Sequence, residues 1–236
     1  AGVTSVTVNG TAEANSTVTI YADGTTNLGT VTAGSTGSFS KAVTISGLAT
    51  DGSYNITVTA KDAVGNVSVA SAAATLTIDR TAPAAPTLTA PTATLTNNAS
   101  VTVAGTAEAG STVTIYDGTT SKGTTPAAGD GSFSLSVTLA NGAHSLTAKA
   151  TDAAGNTGSA STAKSITVDT VAPAAPTLSG PTATQVSHDV TITGTAEKSS
   201  TVTVYVDGSA AGTPVTANAS TGAFSVPLFL VNGTYS

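Results

Sequence analysis

A twelve-residue phrase is written three times in this chain: GTAEANSTVTIY at Gly10–Tyr21, GTAEAGSTVTIY at Gly105–Tyr116 and GTAEKSSTVTVY at Gly194–Tyr205. A second phrase, DRTAPAAPTL from Asp79, returns 90 residues later as DTVAPAAPTL from Asp169. A period near 90 residues is too long for a solenoid repeat and fits a row of small domains, each with its own core. The repeat is therefore the unit that folds. A residue that recurs in register belongs to the design of the module, and a residue that occurs once is read as incidental.

The middle copy shows how the module folds. Its segments TLTA (Thr87–Ala90), SVTVAGT (Ser100–Thr106), STVTIYD (Ser111–Asp117), a weaker one at 122–125, SFSLSVTL (Ser132–Leu139), HSLTAKATD (His144–Asp152) and AKSITVD (Ala163–Asp169) read as strands A to G. Within them apolar residues alternate with small polar ones, most strictly at Phe133, Leu135, Val137 and Leu139, with a turn every 8–12 residues. No segment carries the 3.6-residue period of a helix. The expectation is an all-β chain of tandem seven-stranded antiparallel sandwiches. Phe39, Phe133 and Phe224 fall at one place in strand E, and Tyr54 and Tyr235 open strand F, where the middle copy has His144.

The copies divide the 236 residues at 1–79, 80–169 and 170–236. The first begins at strand B and the third stops in strand F, so the chain reads as a piece cut from a longer array, with open sheets left to be completed. The proline pairs of Pro83/Pro86 and Pro173/Pro176 favour extended, stiff connections between modules.

Composition narrows the function. The net charge of −6, from thirteen acids and seven bases, offers no basic surface for nucleic acid or for an anionic membrane. No stretch approaches the ~20 apolar residues of a membrane span. With no cysteine, each core must suffice alone or borrow a metal. Neither histidine recurs: His144 stands in the place of a tyrosine, as a variant corner residue, and His188 has no counterpart. No enzyme is expected.

The acids are better ordered than surface decoration would be. Glu13, Glu108 and Glu197 recur between strands B and C; Asp62 and Asp152 recur in DAVGN and DAAGN between F and G; Asp79 and Asp169 recur just before the prolines. Asp23, Asp117 and Asp207 recur in Asp-Gly turns after strand C. In a sandwich of this topology the B–C and F–G loops lie at the end where strand A enters. Asp79 should therefore approach Glu108, Asp152 and Asn156, and Asp169 should approach Glu197. Glu13, Asp62 and Asn66 form the matching set on the first copy. Carboxylates gathered without a basic partner are costly unless a cation joins them, and hard oxygen ligands of this kind suit Ca2+. The competing reading is plain turn chemistry, since Asp-x-x-Gly-Asn is a good turn in its own right. Convergence favours calcium; Arg80, beside Asp79, is a cation that would stand in for it at the first joint.

The run GTAEAGSTVTIYDG, SFSLSVTL, ATDAAGNTG and ITVDTVAPAAPTL resembles the bacterial immunoglobulin-like repeats of giant biofilm-associated and repeats-in-toxin-type surface adhesins, over essentially the whole chain. The resemblance implies export to the cell surface, an extender role for these modules behind a terminal adhesive domain, and calcium at the joints on the residues just named. It implies as partners the neighbouring repeats of the same chain. The alternative is a self-assembling surface filament or surface layer, in which other copies complete the open sheets.

Overall fold

The computed structural model describes residues 5–48, 50–180 and 188–231; Tyr235 lies outside them. The chain divides into two compact units, Ala1–Asp169 and Thr170–Ser236. Every regular element described is a strand, and there is no helix among the described residues.

In the first unit, module one contributes β1 (Ser5–Thr11), β2 (Thr17–Ala22), β3 (Thr26–Thr32), β4 (Ser38–Thr44), β5 (Gly52–Lys61) and β6 (Ala74–Ile78). The sheets are β3-β2-β5-β6 and β1-β4. The middle module contributes β7 (Thr87–Ala90), β8 (Leu95–Thr96), β9 (Ser100–Thr106), β10 (Thr112–Asp117), β11 (Thr120–Pro126), β12 (Ser132–Thr138), β13 (Gly142–Thr151) and β14 (Lys164–Val168). Its sheets are β11-β10-β13-β14-β8 and β12-β9-β7. The weak strand expected at 122–125 is a full strand, β11, hairpinned to β10. Two-residue β8, which the alternation does not reveal, adds in parallel to β14.

The second unit holds β15 (Thr177–Gly180), β16 (Asp189–Thr195), β17 (Thr201–Val206), β18 (Ser209–Thr216) and β19 (Ala223–Phe229), arranged as β15-β16-β19 and β17-β18.

The alternation in the strands becomes the two-faced burial of a sandwich. The middle core gathers Val101, Val103, Val113, Ile115, Phe133, Val137, Leu139, Leu146 and Ile166 from both sheets, with Leu88 of β7 packed against it. Phe39, Phe133 and Phe224 are buried in their own modules, as their register predicts.

The repeated phrase has a local physical cause. Its serine, Ser16, Ser111 or Ser200, donates its hydroxyl to the carbonyl of the glutamate three residues before it, at 2.7 Å each time. Its alanine accepts a neighbour that must lack a side chain. Gly37, Gly131 and Gly222 hold φ near +80°, and a Cβ there would lie 2.3–2.6 Å from the carbonyl oxygen of Ala12, Ala107 or Ala196. The phrase is thus a structural staple of the B–C loop. Asp23 and Asp207 have positive φ and are followed by positive-φ glycines, which confirms their Asp-Gly sets as hairpin turns.

Candidate functional site at the first joint

The first joint lies within the first compact unit. The linker 79–86 leaves β6, runs beside the F–G loop of the middle module and enters β7. Pro83 and Pro86 are buried. The Pro83 carbonyl oxygen stands 2.2 Å from where a Cβ on Gly158 would be, and the Thr87 carbonyl oxygen stands even closer to the same point on Gly105. Thr87 and Thr106 hydroxyls meet at 2.6 Å. The linker is seated in a groove between β9 and the 152–161 segment.

The F–G loop holds the top of the linker. Asn156 donates from its side-chain nitrogen to the Asp79 carbonyl oxygen at 3.0 Å and to Asp152 Oδ2 at 2.9 Å. Asp152 Oδ1 accepts the Asn156 amide at 2.8 Å. Partial burial raises the Asp152 carboxyl, but the Asn156 side chain and the loop amides outweigh it and leave it below the usual carboxylate range. The Asp79 carboxylate itself accepts the Thr81 amide at 3.0 Å. One Asn156 side chain therefore bonds both the Asp79 main-chain carbonyl and the Asp152 carboxylate, while the Asp79 carboxylate engages its own linker. Glu108 is exposed on the neighbouring B–C loop, where its main-chain carbonyl, rather than its carboxylate, is the group engaged.

From below, the linker is held by residues that recurrence does not single out. The Arg80 amide donates to Asp51 Oδ2 at 3.0 Å, and its guanidinium reaches Asp51 Oδ1 at 3.3 Å. The same guanidinium donates to the carbonyls of Ile45 and Leu48 at 3.0 and 3.1 Å. The Thr81 hydroxyl adds a bond to Asp51 Oδ2 at 2.8 Å. The Arg80 amide, the Thr81 hydroxyl and the guanidinium hold the Asp51 carboxyl below its ordinary value. Arg80 thus turns away from the joint carboxylates toward module one, which corrects the expectation that it replaces a cation there. A signal was present: the counterparts of Asp51 and Arg80, 90 residues on, are Asn141 and Thr170, so both charges change together.

On module one the same loop faces outward. Asp62 Oδ1 accepts the amides of Val64, Gly65 and Asn66, and Oδ2 accepts the Asn66 side chain at 2.7 Å. The Asn66 side chain, then the loop amides, hold Asp62 below its ordinary value. Glu13 is exposed on the adjoining loop. A cavity of about 440 Å³ opens between them, lined by Glu13, Val58, Ala60, Asp62, Val67 and Ser68 among others. Asp169 ends the first unit, its amide donating to Thr96, and Glu197 lies in the second unit, its carbonyl engaged by Ser200.

As to a cation, the donors at the first joint are of the right kind for Ca2+: the Asp79 main-chain carbonyl and an Asp152 carboxylate oxygen face one amide side chain, with the Asp79 carboxylate on the linker and the Glu108 carboxylate exposed on the neighbouring B–C loop. Among the described residues no three acidic or histidine side chains close on a single point.

The middle module's corner residue is His144. Its Nε2 lies 2.9 Å from the Ala140 carbonyl oxygen and its Nδ1 lies 2.7 Å from Asp117 Oδ2. In module one the Tyr54 hydroxyl donates to the Thr50 carbonyl at 2.7 Å, so His144 is the variant corner residue that its position implies.

Comparisons with known proteins agree with this architecture. Residues 3–78 match the family described as Bacterial Ig domain, and residues 84–170 match Bacterial Ig-like domain. Chitinase A1 of Niallia circulans is 37% identical over 147 residues, which is 59% of this chain but 20% of that protein, so the chain spans about a fifth of its relative. Among solved structures, a Ca2+-stabilised adhesin that helps an Antarctic bacterium reach out and bind ice is 29% identical, with a TM-score of 0.44, over 96% of this chain and 61% of that one. A tetra-tandem repeat from the extending region of a large adhesion protein is 26% identical, with a TM-score of 0.33, over 98% and 65%. Over residues 3–78 and 84–170, the chain belongs to the bacterial immunoglobulin-like domain families.

Proposed function

We infer that this chain is a structural extender section of a bacterial surface stalk: non-catalytic tandem modules, outside the cell, that hold an adhesive domain at a distance. The observation that supports this most is the first joint. A linker that only tethered two domains would be solvated and free. This one is buried at two prolines, bonded to the F–G loop of the middle module through Asn156 and bonded to module one through Arg80. Short, seated linkers resist bending and transmit force along the array.

Calcium belongs to this reading. Asp79, Glu108, Asp152 and Asn156 would hold it at the first joint. Bound Ca2+ would add an ionic crosslink beside the hydrogen bonds that Asn156 and Arg80 already make to the linker. Glu13, Asp62 and Asn66 would supply the matching set on module one.

Small-angle scattering and calorimetry of the chain, with calcium and with chelator, test the proposal. Calcium is expected to raise the unfolding temperature and to narrow the distribution of lengths, and D79A/D152A is expected to abolish both changes. Unchanged curves in parent and variant would remove calcium from the reading. Association that persists on dilution would replace the stalk by the self-assembling alternative.

A further inference from the structure

The groove that receives the linker in the middle module exists in module one, but one side chain differs at its centre. Gly158 has its counterpart, 90 residues earlier, in Ser68. The two residues occupy the same place in the backbone: the Gly158 amide donates to Ala150 and the Ser68 amide to Ala60, both at 2.9 Å. Gly158 has no left-handed φ, so its backbone would accept any side chain. What forbids one is the linker, since a Cβ would meet the Pro83 carbonyl oxygen at 2.2 Å.

Ser68 uses that space itself. Its hydroxyl accepts the Ala60 amide at 2.9 Å and donates to the Val69 carbonyl at 2.8 Å. The polar edge of the groove is thereby satisfied from within the loop. The neighbouring positions change with it: Val58 stands for Ala148, Val67 for Thr157 and Val69 for Ser159. Burial follows the same division. Ala148, Ala150 and Ser161 are buried beneath the linker, whereas Val58 and Ala60 are half-buried and Ser71 is exposed.

We propose that the residue two places after the Asp-Ala-x-Gly-Asn loop decides whether a module seats an Ala-Pro-Ala-Ala-Pro linker: Gly158 admits it and Ser68 excludes it. Module one is then self-capped. A segment of that sequence cannot lie along its groove on the path that the middle module gives to Pro83–Pro86. This is a property of the protein surfaces alone, and it holds whether or not calcium is present.

Reciprocal substitutions test it in the intact chain. G158A adds only the forbidden Cβ. It is expected to unseat the linker and to speed tryptic cleavage after Arg80 by roughly tenfold, while hydrogen exchange in β12 stays as in the parent. Cleavage at the parental rate would overturn the proposal. S68G gives a reading that does not depend on how G158A folds. A synthetic peptide of the sequence of residues 79–90, at millimolar concentration, is expected to shift amide resonances of β5 and the 62–71 loop in S68G and not in the parent. Equal binding by both would also overturn it.

Discussion

Modules one and two carry nearly the same F–G loop, yet the loop does different work in each. Asp62 and Asn66 satisfy one another and their own turn, and nothing beyond it. Asp152 and Asn156 make the same turn, and the Asn156 amide then reaches the carbonyl of Asp79. One geometry is a finished turn when the groove beside it is open, and a clamp when a linker is present. The comparison shows why such a loop can recur in every module without committing it to a joint. The commitment comes from what lies beside it: strand β7 and its Leu88 in the middle module, and Ser68 in module one. It also separates two kinds of residue, those that every module needs in order to fold and those that a particular joint needs in order to close.

The largest effect expected concerns the first kind. F39A and F133A remove the same ring from two cores, one flanked by a two-stranded sheet and one by a three-stranded sheet. Each is expected to destabilise its own module by about 3–4 kcal/mol. If seating couples the modules only weakly, calorimetry will show one transition moved and the other in place. A common shift of both transitions would mean that the joint unites the modules into one cooperative unit, and would remove the contrast drawn above.

A middle-sized effect concerns the second kind. R80T writes the second joint's residue into the first; it frees the carbonyls of Ile45 and Leu48 and leaves Asp51 with only the main-chain amide and the Thr81 hydroxyl. N156A releases Asp79 from the other side, and N66A is its control. Amide exchange at Thr81 is expected to rise several-fold in R80T and in N156A and to stay unchanged in N66A. A rise in N66A would show that the loop of module one is not the isolated turn described.

These two kinds of residue also explain how much could be read from the sequence. Recurrence located the strands, the buried phenylalanines, the corner position of His144 and the approach of Asp79 to Asn156, because each follows from a backbone that is repeated. It was blind to Asp51, Arg80 and Ser68 for the same reason. A joint is the one place where modules of an array need not be alike, so its determinants appear once and are discarded as incidental by a filter for repetition. Adjacency in the chain alone puts Arg80 beside Asp79. The guanidinium follows its long side chain to the carbonyls of Ile45 and Leu48, which strand-level topology does not locate. Glu108 recurs, and its repetition already has a cause in the serine bond to its main chain.

The smallest effect is a difference in how the two modules respond to pH, and it follows from their corner residues. Both nitrogens of His144 face acceptors, the Ala140 carbonyl and Asp117 Oδ2. Only the imidazolium can donate to both at once. The bond to Ala140, then that to Asp117, raise His144 above its usual value of 6.5, against opposing effects of burial and of Lys122, whose Nζ lies 3.7 Å from the same carboxylate oxygen. For Asp117, burial acts upward, but the His144 bond, the Ser145 amide and the two cations prevail and lower it below 3.8. A raised histidine contributes fully below its unfolded value and loses that contribution as pH climbs through the folded one. A lowered aspartate contributes above 3.8 and loses it as pH falls through its folded value. The pair therefore supports the middle module across the interval between, and its loss on the alkaline side should cost about 1 kcal/mol, or about 5 °C in unfolding temperature for a domain of this size. Tyr54 makes the equivalent bond in module one without a charge, so that transition should stay level across the neutral to mildly alkaline range in which the middle module loses stability. H144Y should give the middle module the same level profile. Parallel slopes in the two modules of the parent, or a slope that survives H144Y, would show that the corner histidine is not what sets their pH response apart.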